Sequence, residues 1–184
     1  MPRSGDLCKY AKPDTLLGAR VHAFAEWLSR TDPSVAIQST FWLIRLLQAM
    51  HLATAGVACV SGLMIALRAL DLQRADQPFA AVWARFAPWL GASIAVMLLT
   101  GVAQVLGDPV RELTATSWWV KVTLLLGCAL GTLWFAHAAR RAPRFSFGAR
   151  LVAALIVVAW LVIPMLGRMI AYDVAIWGAW SLRT

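Results

Sequence analysis

Four apolar runs, each long enough to cross a bilayer, dominate residues 41 to 172 and decide what this chain can fold into. A bilayer's hydrocarbon core is about 30 Å thick and a helix rises about 1.5 Å per residue, so about 20 apolar residues span it. Within lipid the backbone must satisfy its own polar groups, and a helix does so inside one segment. The fold class read from the sequence is therefore an all-α integral membrane protein. Its core is a bundle of four transmembrane helices at about 41–67, 83–106, 118–139 and 151–172. Of the 184 residues, 60% are hydrophobic and 14% charged, which leaves no stretch able to bury a separate soluble core. Residues 41–172 thus form one transmembrane domain, flanked by a polar N-terminal segment (1–40) and a C-terminal tail (173–184).

The opening "MPRSGDLCKYAKPDTLLGAR" carries charges of both signs and no apolar run, so it does not read as a cleavable secretory signal. Residues 20 to 30, "RVHAFAEWLSR", place Val21, Phe24, Ala25 and Leu28 at helical spacing, which predicts a short amphipathic helix lying on the membrane surface. In "TDPS", Asp32 reads as an N-cap and Pro33 as the first helical residue of the next segment. Pro88 falls in the first turns of the second spanning helix, and Pro164 inside the fourth is a kink site. Gly127 and Gly131 form a GxxxG pattern that lets a neighbouring backbone approach the third helix. "GDPVRELTATS" reads as a surface loop, and Trp177 with Trp180 places the tail at the interface.

The net charge of +8 does not point to nucleic acid, because the basic residues flank apolar segments and do not form a soluble basic face. Membrane lipids and topology account for them. The third connector holds Arg140, Arg141, Arg144 and Arg150 without an acid, and the first holds Arg68 and Arg74 with Arg85 just beyond. The opposite side has Arg30, Arg111 and Arg183 near helix ends, and the tail cations Arg3, Lys9 and Lys12 lie mostly beyond the range that sets orientation. The expected location is a bacterial inner membrane with both termini periplasmic. Cys8, Cys59 and Cys128 have neither CxxC nor CxxCH spacing, so no disulfide framework or covalent haem is indicated. Cys59 and Cys128 read as small core residues.

Against this apolar background the polar residues inside the spans are informative, since such groups face a bundle interior, a bound group or water. Counting helical rise from the outer ends, His51 lies ten residues into the first span, about 15 Å deep, with Met97 of the second at similar depth. Arg45 and Gln48 precede His51, Thr100 and Gln104 follow Met97 at helical spacing, and Lys121 opens the third span. Arg168 and Tyr172 close the fourth, with Asp173 beside them. All lie in one leaflet and come from four helices. In one reading the cations snorkel to headgroups while Gln48 and His51 hydrogen-bond between helices. In the other, His51 holds an occupant, a haem iron, a quinone or a metal ion, with the cations neutralising propionates or orienting a headgroup.

His137, the other spanning-segment histidine, lies about 20 residues down the third helix, so one haem iron does not reach both it and His51. It reads as an interfacial residue. Met97, a residue of another subunit or no second ligand remain for a haem on His51, and His22 is an outer-leaflet alternative. GxSxG, P-loop, HExxH and paired-carboxylate signatures are absent.

The order "HL", "LTGVAQ", "WWVKVTLLL" and "GRMIAY" resembles a family of small bacterial four-helix membrane proteins. It is more distantly similar to the membrane domains of copper resistance D-type proteins and b-type cytochromes. The likeness covers about residues 35 to 175 and implies roles for His51, Thr100 with Gly101, Lys121, Gly167 with Arg168, and Tyr172. The family pattern has an acid three residues before the histidine, where this chain has Gln48.

The expected function is a membrane subunit of a bacterial electron-transfer complex that binds b-type haem or quinone around His51 and works with partner subunits or as a homo-oligomer. The alternative is a structural or assembly subunit without cofactor. A copper or small-solute permease ranks third, because the six methionines form no MxxxM ladder and the spans lack paired carboxylates.

Overall fold

The computed structural model describes residues 16–73, 76–139 and 145–182, so Arg3, Cys8, Lys9, Lys12, Arg74, Arg140, Arg141, Arg144 and Arg183 lie outside the described residues. The described chain is helical without strands: α1 (Leu16–Ser29), α2 (Asp32–Ser39), α3 (Phe41–Ala69), α4 (Phe79–Gly107), α5 (Pro109–Leu113), α6 (Thr116–Ala139), α7 (Phe147–Met169) and α8 (Asp173–Trp177), with 3-10 turns either side of α8. Four helices, in α3, α4, α6 and the segment from α7 through α8, are long and apolar enough to cross a membrane. The protein is a four-helix membrane bundle.

Why these helices suit lipid is visible on α7. Ala149, Ala153, Ile156, Trp160, Ile163, Leu166 and Ile170 recur at three- and four-residue spacing and are buried against the bundle. Its opposite face, Leu151, Leu155, Val158, Leu161 and Met165, is exposed and equally apolar. A helix that is apolar all round is stable only where its outer face also avoids water.

The core is apolar between the middle of the bundle and the end carrying the first and third connectors: Ala58, Ile65, Leu125, Cys128, Phe135 and Trp160 meet there. Two glycines set the helix approach. A Cβ on Gly62 would stand 2.3 Å from Trp160 Nε1, and one on Gly131 would stand 2.8 Å from Ile156 Cδ1. Gly127 has nothing within 4 Å, so of the GxxxG pair only Gly131 is a packing contact. Pro164 has no N–H to give the Trp160 carbonyl four residues back, and the Cys59 thiol donates to that carbonyl at 3.4 Å from α3.

Short helices cap the other end of the bundle. Ser34 of α2 is fully buried and donates to the Leu106 carbonyl, one of the last four of α4 that lack an intrahelical partner. Asp32 is the first residue of α2 and Thr31 occupies the N-cap position, one residue earlier than the sequence pattern indicates. Likewise α4 starts at Phe79, so Pro88 lies in the helix interior and not in its first turns. The apolar side of α1 divides in two. Gly18 and Ala25 are buried toward α5, while Leu17, Phe24 and Trp27 face outward, Phe24 and Trp27 with ring centroids 5.7 Å apart.

At the connector end, Asp71 adopts φ 59° and its carboxylate pairs with Arg68 and Arg150, joining the first connector to the start of α7. At the capped end the tail is fixed by Asp173, which is fully buried. Its carboxylate accepts from the backbone N–H groups of Thr116 (3.1 Å) and Ser117 (2.8 Å) and from the hydroxyls of Ser117 and Ser181 (both 2.6 Å). A distant carboxylate thereby caps α6, where the helix dipole favours negative charge. Asp173→Asn, which replaces one acceptor oxygen by a donor, is expected to lower stability by about 1.5 kcal/mol and to expose the tail to limited proteolysis.

Candidate functional site

A cavity of about 520 Å³ opens at the capped end, where α3, α4, α6 and α7 leave the apolar core and α5 closes over them. Its lining includes Arg45, Gln48, His51, Met97, Gln104, Lys121 and Arg168, seven of the residues singled out by depth. Arg45, Gln48, Ala49 and Leu52 of α3 and Pro164, Arg168 and Ala171 on the α7 side are exposed, so the mouth lies between α3 and α7 on the outer surface of the bundle.

His51 is half-buried and held from both sides. Its Nδ1 lies 2.9 Å from Thr100 Oγ1. That hydroxyl has one proton, which it gives to the carbonyls behind it in α4, Val96 at 2.8 Å and Met97 at 3.2 Å. The Thr100 oxygen is then an acceptor, which places the imidazole proton on Nδ1 and the lone pair on Nε2. Lys121 Nζ stands 3.4 Å from Nε2 and can only donate. The three residues form one chain of donors and acceptors across α4, α3 and α6.

Two glycines stand beside this pair, at distances where an added Cβ would make ordinary contact. A Cβ on Gly101 would lie 3.5 Å from His51 Cε1, and one on Gly167 would lie 3.7 Å from Lys121 Nζ. Gln104, a turn beyond Thr100, donates to the Thr100 carbonyl at 3.3 Å and presents its amide to the cavity.

Three candidates stand elsewhere. Thr100 is buried behind the imidazole and holds it in place without lining the cavity. Tyr172 is 59% exposed and outside the lining. Asp173 faces α6 and the tail. His22 pairs with Glu26 at 3.4 Å on α1, away from the cavity, and exposed His137 lies in the last turn of α6.

Two charged cavity residues escape the sequence reading of the site: Arg111 and Glu112 of α5. The segment reads as a loop, yet Asp108 caps a five-residue helix by accepting from the Arg111 N–H at 3.3 Å, with Pro109 at its first position. An Asp-Pro pair in those positions is a helix-start signal. Trp119 Nε1 fixes the other end, donating to the Leu113 carbonyl at 2.9 Å.

No family model, curated protein or solved structure matches this chain. The site's chemistry therefore rests on its own geometry. Haem b and quinone make different demands on it. A haem iron takes a free imidazole lone pair; here the Nε2 lone pair is engaged by Lys121, so iron at that nitrogen requires the lysine to withdraw. A quinone carbonyl takes donors, and Lys121 and Gln104 supply them from the cavity wall. The residues fit a quinone headgroup as they stand.

Proposed function

We propose that this chain is a membrane subunit of a bacterial electron-transfer complex, and that its cavity takes a quinone headgroup against His51 and Lys121. The observation carrying this reading is the His51–Lys121 pair at the wall of a cavity open at the bundle surface, 3.4 Å apart with the imidazole oriented by Thr100. Lys121 and Gln104 would donate to the quinone oxygens, while Ala55 and Ile163 give the apolar surroundings a ring needs. A bound quinone supplies two-electron, two-proton chemistry. His51 presents its ring nitrogen Nε2 to Lys121 at the cavity wall, and Thr100 holds the imidazole in that orientation. The capped end is assigned to the periplasmic side of the inner membrane by the arginines of the opposite connectors, Arg68 and Arg150 among them.

Organic extraction of the detergent-purified protein tests this. The wild type is expected to release close to one quinone per chain, and His51→Ala at least about tenfold less, because Lys121 loses the acceptor that holds its ammonium at the cavity wall. A quinone-free, colourless wild type supports the structural-subunit reading instead.

A second reading, b-type haem on His51, is favoured by Met97, which lines the same cavity from α4. It requires Lys121 to leave Nε2. An ultraviolet-visible spectrum before and after dithionite separates the two: the quinone reading expects no Soret band, and a Soret band lost in His51→Ala establishes haem.

A further inference from the structure

The charge of the cavity is more positive than a neutral quinone needs. Arg45, Arg111, Lys121 and Arg168 line it, with Glu112 as the single acid. Arg111 and Glu112 each have interaction partners, and Lys121 is engaged with His51. Arg45 and Arg168 differ: among the described residues neither makes an ion pair or a hydrogen bond. They come from α3 and α7, the two helices flanking the mouth, and both are exposed there. Two guanidinium groups at one opening make the local potential positive and attract an anion. Guanidinium forks match phosphate oxygens in bidentate geometry.

We infer that Arg45 and Arg168 hold the phosphate of an anionic phospholipid at the mouth of the cavity. The chemistry required is a phosphate anion, and the position of the mouth selects the lipid source over free phosphate. Exposed Ala49 and Leu52 on α3 and Pro164 on α7 provide an apolar edge on which an acyl chain lies while its headgroup is held at the capped end. This site uses residues other than the His51–Lys121 pair and does not rest on the quinone reading.

The full chain, purified in detergent and stripped of lipid, is titrated with phosphatidylglycerol, with phosphatidylcholine or with inorganic phosphate, and bound lipid is counted by native mass spectrometry. One phosphatidylglycerol is expected to bind in preference to phosphatidylcholine, and inorganic phosphate is not expected to displace it. Removing each arginine is expected to weaken phosphatidylglycerol binding about fivefold, so R45Q/R168Q loses about thirtyfold. R45K/R168K, which keeps both charges but loses the bidentate forks, is expected to bind more weakly than the wild type and more tightly than R45Q/R168Q, which guards against a folding artefact. R85Q, an exposed arginine at the connector end, leaves binding unchanged. Equal binding of the two lipids, unchanged binding in R45Q/R168Q or equal loss in R85Q overturns the inference, and displacement by inorganic phosphate overturns its assignment to lipid. Quinone retained in R45Q/R168Q while phosphatidylglycerol is lost separates this site from the one at His51.

Discussion

Gly62→Ala is expected to destabilise the bundle by about 3 kcal/mol, at the upper end of overpacking costs. The new Cβ would fall 2.3 Å from Trp160 Nε1 and 2.4 Å from Cε2, inside any permissible contact. The atoms it meets belong to a rigid indole that is only 1% exposed, not to the free end of a flexible side chain. Nor can the indole shift cheaply, because the residue's carbonyl is joined to α3 through Cys59. Thermal denaturation in detergent, followed by circular dichroism, reads the effect. Gly56→Ala and Gly91→Ala are matched controls: nothing lies within 4 Å of either new Cβ, so both should be neutral or gain up to about 1 kcal/mol from helix propensity. Trp160→Phe should partly rescue Gly62→Ala. The lost Nε1–H has no hydrogen-bond partner among the described residues, so the smaller ring leaves none there unsatisfied. Equal melting of Gly62→Ala and Gly56→Ala would contradict the packing described for α3 against α7.

Lys121→Met is expected to weaken quinone binding by up to about 3 kcal/mol, or about a hundredfold, because it removes a charged donor from the cavity wall. Its effect on stability should have the opposite sign or be absent. The ammonium is partly buried and its hydrogen bond to His51 Nε2 is long at 3.4 Å, so an apolar side chain of similar length replaces it with little loss. This divergence separates a binding site from interhelical glue. If the polar cluster only holds helices together, Lys121→Met lowers the melting temperature and affects no ligand. Thr100→Val adds a subtler case. It keeps the shape of the residue but removes the acceptor for His51 Nδ1–H, freeing the imidazole to turn. Quinone retention is expected to fall about tenfold with the fold intact.

The spanning helices and the polar cluster were legible in the sequence for one physical reason: in lipid, each polar residue is conspicuous and helical rise converts its position into depth. His51, Met97, Gln104 and Lys121 come from three helices and meet in one cavity as that arithmetic implies. What it missed depends on direction and not depth. Tyr172 and Asp173 have the right depth, but the helix gives way to a 3-10 turn at Ile170–Tyr172, so Tyr172 points outward and Asp173 caps α6. Helix α5 is five residues long, too short for hydrophobic periodicity, and only its Asp108-Pro109 start marks it. The apolar run marks the start of α4 at Trp83, four residues late, because the polar "DLQRADQP" directly precedes its first turn. The two apolar faces of α1 merge into one stripe when the helix is viewed without α5 beside it.

Trp119, which anchors the end of α5 over the cavity, and its neighbour Trp118 stand at the capped end and give a fluorescence signal near the site. Titration of the detergent-purified chain with a short-chain benzoquinone, followed by tryptophan quenching, should show saturation at one site in the wild type. The same site should be lost in His51→Ala and Lys121→Met and kept in R45Q/R168Q. Linear, unsaturable quenching that is identical in the wild type, His51→Ala and Lys121→Met would contradict a quinone site at His51.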